Sequence, residues 1–119
     1  MNSQTLRERT EVYSIRVLRL CCSLPRRMEA LVLGKQLLRS ATSVGANYRA
    51  ACIAKSRADF VAKIKICEEE ADESEYWLKL LVTAGFLKGE DIADLCSEAH
   101  ELTSIFAASA ITARNNKTS

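Results

Sequence analysis

The side chains in this sequence best suited to chemistry are the acidic ones in the segment CEEEADESE, residues 67–75. Helical spacing puts Glu70 and Glu73 on one face with Ile66 and Trp77, so both carboxylates are bounded by apolar residues and are expected to be half-buried. Paired carboxylates can act in acid–base chemistry, bind a metal ion or pair with an arginine. The segment therefore raises three alternatives: a hydrolytic enzyme, a metal site and a structural polar network.

The rest of the chain gives the two catalytic alternatives little support. A di-iron site in a helical bundle needs a Glu-x-x-His motif on two helices, but the single histidine, His100, has Ser97 three residues before it. The same histidine is the only base for a catalytic triad, and neither a nucleophile elbow nor a phosphate-binding glycine loop occurs. We therefore expect no enzyme activity, no catalytic residue, no metal site and no cofactor.

The five cysteines indicate a reduced, intracellular protein. Their number is odd and none are spaced as Cys-x-x-Cys, so neither a disulfide framework nor a zinc site is indicated, and we expect small buried side chains. Only Cys21 and Cys22 differ from the other cysteines, because they are adjacent in the sequence. The start of the chain lacks a signal-peptide pattern and no apolar run could span a membrane, so we expect a cytoplasmic protein with no membrane partner.

A second unusual stretch, RSATSVGANYRAA at residues 39–51, has few bulky apolar side chains, although helical periodicity runs into it and out of it. Glycine inside a helix costs about 0.5 to 1 kcal/mol relative to alanine, so Gly45 predicts that another element approaches the backbone closely. Polar residues at helical spacing form a stripe beside the apolar one: Gln36, Ser40, Ser43 and Asn47.

The polar stripe and the acidic segment are predicted to meet. If the second and third helices are antiparallel and joined by a turn at residue 55 or 56, the residue numbers of two facing positions add up to about 111. This puts Arg39 opposite the Asp72 region and Asn47 opposite Ile64. We predict a contact from Arg39 to Asp72 or Glu73, with Gln36, Ser40 or Asn47 as further hydrogen-bond donors to the carboxylates. The predicted structural polar network comprises Gln36, Arg39, Ser40, Ser43, Asn47, Glu70, Asp72 and Glu73.

Composition and periodicity predict an all-α fold: one domain spanning residues 1–119, built as an up-down-up-down antiparallel four-helix bundle. The chain has one proline and four glycines in 119 residues, which favours long helices with short connections. Ser56 is a predicted N-cap for the third helix, and Gly85 is a predicted left-handed cap at its end. The apolar repeat puts the helices at about residues 5–22, 28–54, 57–84 and 90–113, with a polar tail at 114–119.

The formal charge of +2 hides two halves of opposite sign. Residues 1–55 hold ten Lys or Arg against three Glu, whereas residues 56–119 hold seven against twelve acidic residues. The basic half could contact nucleic-acid phosphates, dock on the acidic half of a second copy, or form ordinary solvated surface. Its two tyrosines occupy core-facing positions, so sequence-specific readout is not indicated. The candidate nucleic-acid-binding residues are Arg7, Arg9, Arg16, Arg19, Arg26, Arg27 and Arg49.

The segments LGKQLLRSATSVGANYRAA and SRADFVAKIKICEEEADESEYWLKLLVTAGFL closely resemble the four-helix-bundle proteins encoded in intervening sequences of bacterial ribosomal RNA genes. The resemblance extends from about Tyr13 to Phe106. It implies a left-handed bundle assembled as a homopentameric ring, in a family that mostly has no established activity. The family motif falls on Gln36, Arg39, Ser40, Ser43, Asn47, Tyr48, Glu69, Glu70, Glu73 and Trp77, none of which is an established catalytic residue.

The same fold resembles the accessory protein of diversity-generating retroelements, a basic pentameric barrel that binds nucleic acid and a reverse transcriptase. We therefore hypothesise a non-enzymatic oligomeric scaffold or adaptor that contacts RNA, DNA or a nucleic-acid enzyme such as a reverse transcriptase through a basic surface. The near-neutral charge of this chain departs from that accessory protein. The alternative is a purely structural or protein-interaction module that does not bind nucleic acid.

Overall fold

Four α-helices make up most of the computed structural model, which describes residues 1–116. Each helix packs against the next along the chain, and the molecule measures 52 × 21 × 20 Å. The predicted all-α fold with four helices packed in sequence is therefore confirmed. The helices are α1 (Ser3–Cys22), α2 (Met28–Cys52), α3 (Arg57–Thr83) and α4 (Gly89–Asn115).

Five helix ends differ from the predicted limits by one or two residues: α2 ends at Cys52 and α3 at Thr83, α4 begins at Gly89, and the start of α1 and the end of α4 extend outward. α1 begins earlier than expected because the side-chain oxygen of Asn2 accepts a hydrogen bond of 2.8 Å from the backbone N–H of Thr5. α4 extends further than expected, so Arg114 and Asn115, which were predicted to lie in a polar tail, are helical. Residues 117–119 of that predicted tail lie outside the described residues.

The predicted caps of α3 are both present. At its start, the Ser56 hydroxyl oxygen accepts a hydrogen bond of 3.0 Å from the backbone N–H of Asp59. At its end, Gly85 adopts φ of +88°, the left-handed conformation that glycine tolerates best. This turn lets the Leu81 carbonyl accept backbone hydrogen bonds from Phe86 and Leu87, at 2.9 and 3.3 Å. α3 therefore ends in a tight turn into α4.

The core lies along the inner faces of all four helices. Tyr13 and Phe106 are its largest fully buried side chains. Because the outer faces are polar, none of the helices within residues 1–116 is apolar enough over a sufficient length to cross a membrane.

The cysteines are buried to very different extents. Cys67 is fully buried, and burial raises the pKa of its thiol to about 12. Burial likewise raises the pKa of the half-buried Cys21 to about 11. These thiols stay protonated at neutral pH, as expected of packing residues. Cys22 is exposed, so the expectation of burial is wrong there, because it follows Cys21 by one residue and points to the opposite side of α1.

A buried hydroxyl pair links α1 to α3 at the centre of the core. The Tyr13 hydroxyl lies 2.7 Å from Ser74 Oγ, and Ser74 Oγ donates to the Ala71 carbonyl at 2.7 Å, which leaves Tyr13 as the donor to Ser74. Burial raises the pKa of Tyr13 above its ordinary value. The two hydroxyls therefore form a neutral, fully hydrogen-bonded unit.

We expect Tyr13→Phe to lower the free energy of unfolding by about 1 kcal/mol, because it removes one buried hydrogen bond while Ser74 keeps its bond to Ala71. Urea titration followed by circular dichroism measures this difference. Tyr76→Phe is the matched control, since Tyr76 lies on the same helix as Ser74 but is 57% exposed. Equal stabilities of the Tyr13→Phe protein and the parent would contradict the assigned donor role.

Candidate functional site

Arg39 joins α2 to α3 through both acidic residues singled out in the sequence. Its Nη1 donates to Glu70 Oε2 at 2.8 Å, and its Nη2 donates to Glu73 Oε2. The predicted contact to Glu73 is therefore present. Asp72 is exposed and does not take part, because it lies one residue, about 100° around the helix, from Glu73.

Further polar side chains hold this cluster in position. Trp77 Nε1 donates to Glu73 Oε2 at 2.9 Å, and Arg39 Nε donates to Gln36 Oε1 at 3.4 Å. Burial has the largest single effect on the pKa of Arg39 and lowers it, but the hydrogen bonds that Arg39 donates to Glu70 and Glu73, together with their negative charges, raise the pKa above its ordinary value. Both carboxylates are thus occupied by a guanidinium group, and neither is free to act as a base.

The remaining predicted members of the network do not reach the carboxylates. Ser40 is buried and its Oγ donates to the Leu37 carbonyl at 3.1 Å. Asn47 Nδ2 donates to the carbonyl and the Oγ of Ser43, both at 2.9 Å. The prediction of Gln36, Ser40 and Asn47 as donors to the carboxylates is therefore wrong. Gln36 accepts from Arg39 instead, and short polar side chains in a helix bond to the preceding turn of their own backbone.

The cluster of Arg39, Glu70 and Glu73 fixes how α2 and α3 align. Midway along the same interface, Cys67 Sγ lies 3.6 Å from the Val44 carbonyl. The residue numbers of each facing pair have nearly the same sum at Val44 and Cys67 as at Arg39 and Glu73, as two antiparallel helices require. Across residues 1–116, no three His, Cys, Asp or Glu side chains converge as a metal site would need. The geometry of the cluster suits a structural role.

We expect Arg39→Ala to lower the free energy of unfolding by about 1 kcal/mol, because it leaves two adjacent carboxylates without their shared cation. The value is modest because the Arg39 side chain is 51% exposed. Thermal melts at low and high salt measure it, and the difference from the parent should shrink at high salt. Arg26→Ala, at an exposed turn position, is the control. A variant at Arg39 that melts like the parent would contradict the assignment.

The small residues of α2 pack against α1. A Cβ atom added to Gly45 would lie 3.3 Å from Thr10 Oγ1, and Ser14 Oγ donates to the Ala41 carbonyl at 3.3 Å. Close approach at Gly45 is therefore confirmed, and the partner is α1. Outside this seam the two helices leave an open groove of about 500 Å³.

The seven candidate arginines do not form one face. Arg7 lies near the start of α1 and Arg49 near the end of α2, so both are at one end of the 52 Å molecule. The opposite end carries Arg16, Arg19, Arg26 and Arg27. Arg9 also lies near the first end.

Acidic residues offset the arginines at the opposite end. Arg16 Nη2 lies 4.0 Å from Asp94 Oδ2, and Arg27 Nη2 donates to Glu29 Oε2 at 3.3 Å. Arg27 also lies over the Phe86 ring, 5.7 Å from its centroid. This end therefore has a mixed charge and offers a weak attraction for phosphates.

Arg9 is already neutralised within the protein. Its Nε and Nη2 donate to the two carboxylate oxygens of Glu98 at 2.7 and 2.8 Å, and Nη2 also lies 3.1 Å from Glu101 Oε1. The hydrogen bonds that Arg9 donates to Glu98 raise the pKa of Arg9 above its ordinary value. We therefore exclude Arg9 from the residues expected to contact phosphate, since it serves as the link between α1 and α4.

Three cations at the end of the molecule that contains Arg7 and Arg49 were missed from the sequence. Lys55 lies in the turn after α2, Arg57 begins α3 and Arg114 lies in the last turn of α4. Charge was counted separately for the two halves of the chain, so cations from different halves were not compared. The antiparallel order of the helices predicts that they lie at the same end of the bundle. We call this set the basic end: Arg7, Arg49, Lys55, Arg57 and Arg114.

Comparison with known proteins identifies the family of this chain and a solved structure of similar fold. A family model described as "23S rRNA-intervening sequence protein" matches residues 4–108. A crystal structure from Bacteroides thetaiotaomicron VPI-5482, described as a protein with unknown function from the S23 ribosomal protein family, is 33% identical with a TM-score of 0.85. The match covers 92% of this chain and 98% of that one. No curated protein matches this chain.

Proposed function

Because the chain belongs to the 23S rRNA-intervening sequence protein family, we propose that it is a non-enzymatic oligomeric scaffold or adaptor. We propose that its basic end contacts nucleic acid, or a nucleic-acid enzyme such as a reverse transcriptase. The observation that carries the proposal is the gathering of five cations at one end of the bundle, from all four helix termini that meet there. The family membership agrees with the resemblance predicted from the sequence.

The basic end has a positive net charge that supports binding to phosphates, because its five cations outnumber the acidic residues beside them, Glu8, Glu11 and Asp59. The N-termini of α1 and α3 lie at this end and add partial positive charge to that of the side chains. Binding of cations to a nucleic-acid backbone releases counterions, which favours association at low salt. Tyr13 and Tyr48 are buried, so no tyrosine of α1 or α2 is available for base stacking. The proposed contact is therefore to the backbone and independent of base sequence.

The proposed absence of enzyme activity rests on the Arg39 cluster. The carboxylates with the most suitable surroundings for catalysis, Glu70 and Glu73, are occupied by Arg39 and Trp77. A carboxylate whose oxygens already accept hydrogen bonds from a guanidinium group or an indole N–H is a poor metal ligand. The cluster supports a structural role.

Titration of labelled RNA and DNA oligonucleotides of the same sequence, at several salt concentrations, tests the nucleic-acid proposal. We expect binding that weakens as salt rises, with a logarithmic slope of about −2.8 to −3.6 for four phosphate contacts, from Arg7, Arg49, Lys55 and Arg114, since each contributes about −0.7 on single strands and −0.9 on duplex. Comparing the two oligonucleotides decides between RNA and DNA. The absence of salt-sensitive binding to either would overturn the proposal.

We further propose that the chain assembles as a homopentameric ring. Exposed aliphatic side chains on α1 and α2 support self-association. Light scattering should give five times the 13.2 kDa mass of the chain. A monomer at micromolar concentration would contradict the ring.

A purely structural or protein-interaction module is the second candidate function. The observation that favours it is the exposure of Ile15, Leu18 and Leu31, which are 40%, 43% and 45% exposed on neighbouring helices. Such side chains suit contact with another protein more than contact with phosphates. If the protein assembles but binds neither RNA nor DNA, the structural or protein-interaction role is the function that the results support.

A further inference from the structure

The turn between α2 and α3 exposes an apolar side chain at the basic end. Ile53 follows the last residue of α2 and is 78% exposed, more than any other large apolar side chain within residues 1–116. Burial of an aliphatic side chain of this size is favourable, yet single exposed apolar side chains are common on protein surfaces. The surroundings of Ile53, rather than its exposure alone, therefore decide what it can bind.

Backbone hydrogen bonds order the turn on both sides of Ile53. The Ile53 N–H donates to the Ala50 carbonyl at 3.2 Å, and the Ala54 N–H donates to the Ala51 carbonyl at 3.1 Å. Further along the turn, the Ser56 hydroxyl caps the start of α3. Because the backbone of the turn is already fixed, little conformational entropy is lost when a ligand covers the Ile53 side chain.

Cations lie on both sides of Ile53 along the chain. Arg49 precedes Ile53 by one turn of helix, Lys55 follows it closely, and both cations are exposed. Arg7, which lines the same surface groove as Arg49, and Arg114 in the last turn of α4 extend the positive charge to the neighbouring helices. A ligand that covers Ile53 and uses these cations therefore presents apolar surface between anionic groups.

A nucleic-acid duplex with an opened base step offers this combination. Its two backbones carry phosphates on either side of the bases, and proteins insert aliphatic side chains, isoleucine among them, between unstacked bases. Single strands are bound mainly by stacking on aromatic side chains. Tyr76 is the one exposed aromatic side chain within residues 1–116, and it lies about 28 Å along α3 from Arg57. The basic end therefore suits a duplex better than a single strand.

We propose that Ile53 inserts as an apolar wedge into an opened base step of a duplex whose phosphates are bound by the basic end. This inference rests on the nucleic-acid contact proposed above and names the kind of ligand. Opening a base step costs stacking free energy, and the cost is smallest where a mismatch already interrupts the pairing. The protein is therefore expected to prefer a mismatched duplex to a fully paired one, without preference for particular bases.

Fluorescence anisotropy with two labelled duplexes, which differ only by one central mismatch, tests this preference. We expect the full-length parent protein to bind the mismatched duplex about tenfold more tightly than the paired one at the same salt concentration. Ile53→Ala should bind the two duplexes about equally, whereas Ile53→Leu should keep the preference because it restores the aliphatic volume. Met28→Ala is the matched control, since Met28 is 74% exposed at the opposite end of the molecule. DNA and RNA versions of both duplexes distinguish the two nucleic acids.

A fluorescent aminopurine base beside the mismatch reports directly on unstacking. At saturating protein its fluorescence should rise with the parent and with Ile53→Leu, but not with Ile53→Ala. Circular dichroism checks that each variant is folded.

The outcomes separate the wedge from the basic end. If Ile53→Ala keeps both the preference and the fluorescence change of the parent, the wedge is overturned and the contact of the basic end with phosphates remains. If the parent binds no duplex and no single strand in a salt-sensitive way, both proposals are overturned. Binding to phosphatidylserine vesicles that is lost in Ile53→Ala, together with duplex binding that this variant leaves unchanged, would overturn the wedge in favour of a membrane surface.

Discussion

The double variant Arg7→Glu/Lys55→Glu is expected to bind nucleic acid about 100-fold more weakly than the parent at low salt, about tenfold for each cation replaced by an anion. Arg7 is exposed near the start of α1, where its Nη2 donates to Gln4 Oε1 at 2.7 Å. Lys55 is exposed in the turn after α2. Neither substitution removes a packing contact, so the loss reports on charge at the basic end.

The salt dependence of binding should change with the affinity. Loss of two phosphate contacts lowers the magnitude of the logarithmic salt slope by about 1.4 to 1.8. Fluorescence anisotropy with a labelled oligonucleotide, repeated at several salt concentrations, measures both quantities. A change in affinity without a change in slope would indicate that the substitutions act through the fold.

Arg19→Glu/Arg26→Glu is the matched control, because it changes the net charge by the same amount at the opposite end of the molecule. We expect at most about a threefold loss of affinity from this variant, owing to the change in overall charge. Arg19 lines a surface pocket together with Glu90, Asp91 and Asp94, which already offset its charge. Equal losses from the two double variants would contradict the assignment of the basic end.

The sequence predicted the helices and their alignment well because both follow from local rules. Apolar periodicity defines the inner faces, and the short connection at Lys55 and Ser56 fixes which residues of α2 and α3 oppose each other. The predicted sum of about 111 for facing residues holds for the pair of Val44 and Cys67. A turn of known position leaves antiparallel helices little freedom to slide.

The parts of the candidate site that were missed depend on three-dimensional position. Asp72 and Glu73 differ by one residue, yet only Glu73 reaches Arg39, because each residue turns the helix by about 100°. The arginines were grouped by chain half, whereas the fold separates them by helix end. Arg57 and Arg114 belong to the acidic half of the chain and still join Arg7 at the basic end.

Gly34→Leu should lower the free energy of unfolding by about 2–3 kcal/mol, the largest effect on stability that we predict. Gly34 is buried, and a Cβ atom at this position would lie only 2.7 Å from Leu24 Cδ1. A leucine must therefore push Leu24 out of the core or move α1 away from α2, at a cost of about 1–3 kcal/mol for overpacking together with the lost burial of Leu24. The higher helix propensity of leucine returns less than about 1 kcal/mol.

Two further glycine variants separate crowding from helix propensity. Gly34→Ala should cost much less than Gly34→Leu, since rotation of the flexible Leu24 side chain can accommodate one methyl group. Gly89→Leu should be nearly neutral, because nothing lies within 4 Å of a Cβ atom at the exposed start of α4. Urea titration of the three variants gives the comparison. If Gly34→Leu proved as stable as Gly89→Leu, then the start of α2 would not be packed as tightly against Leu24 as the structure shows.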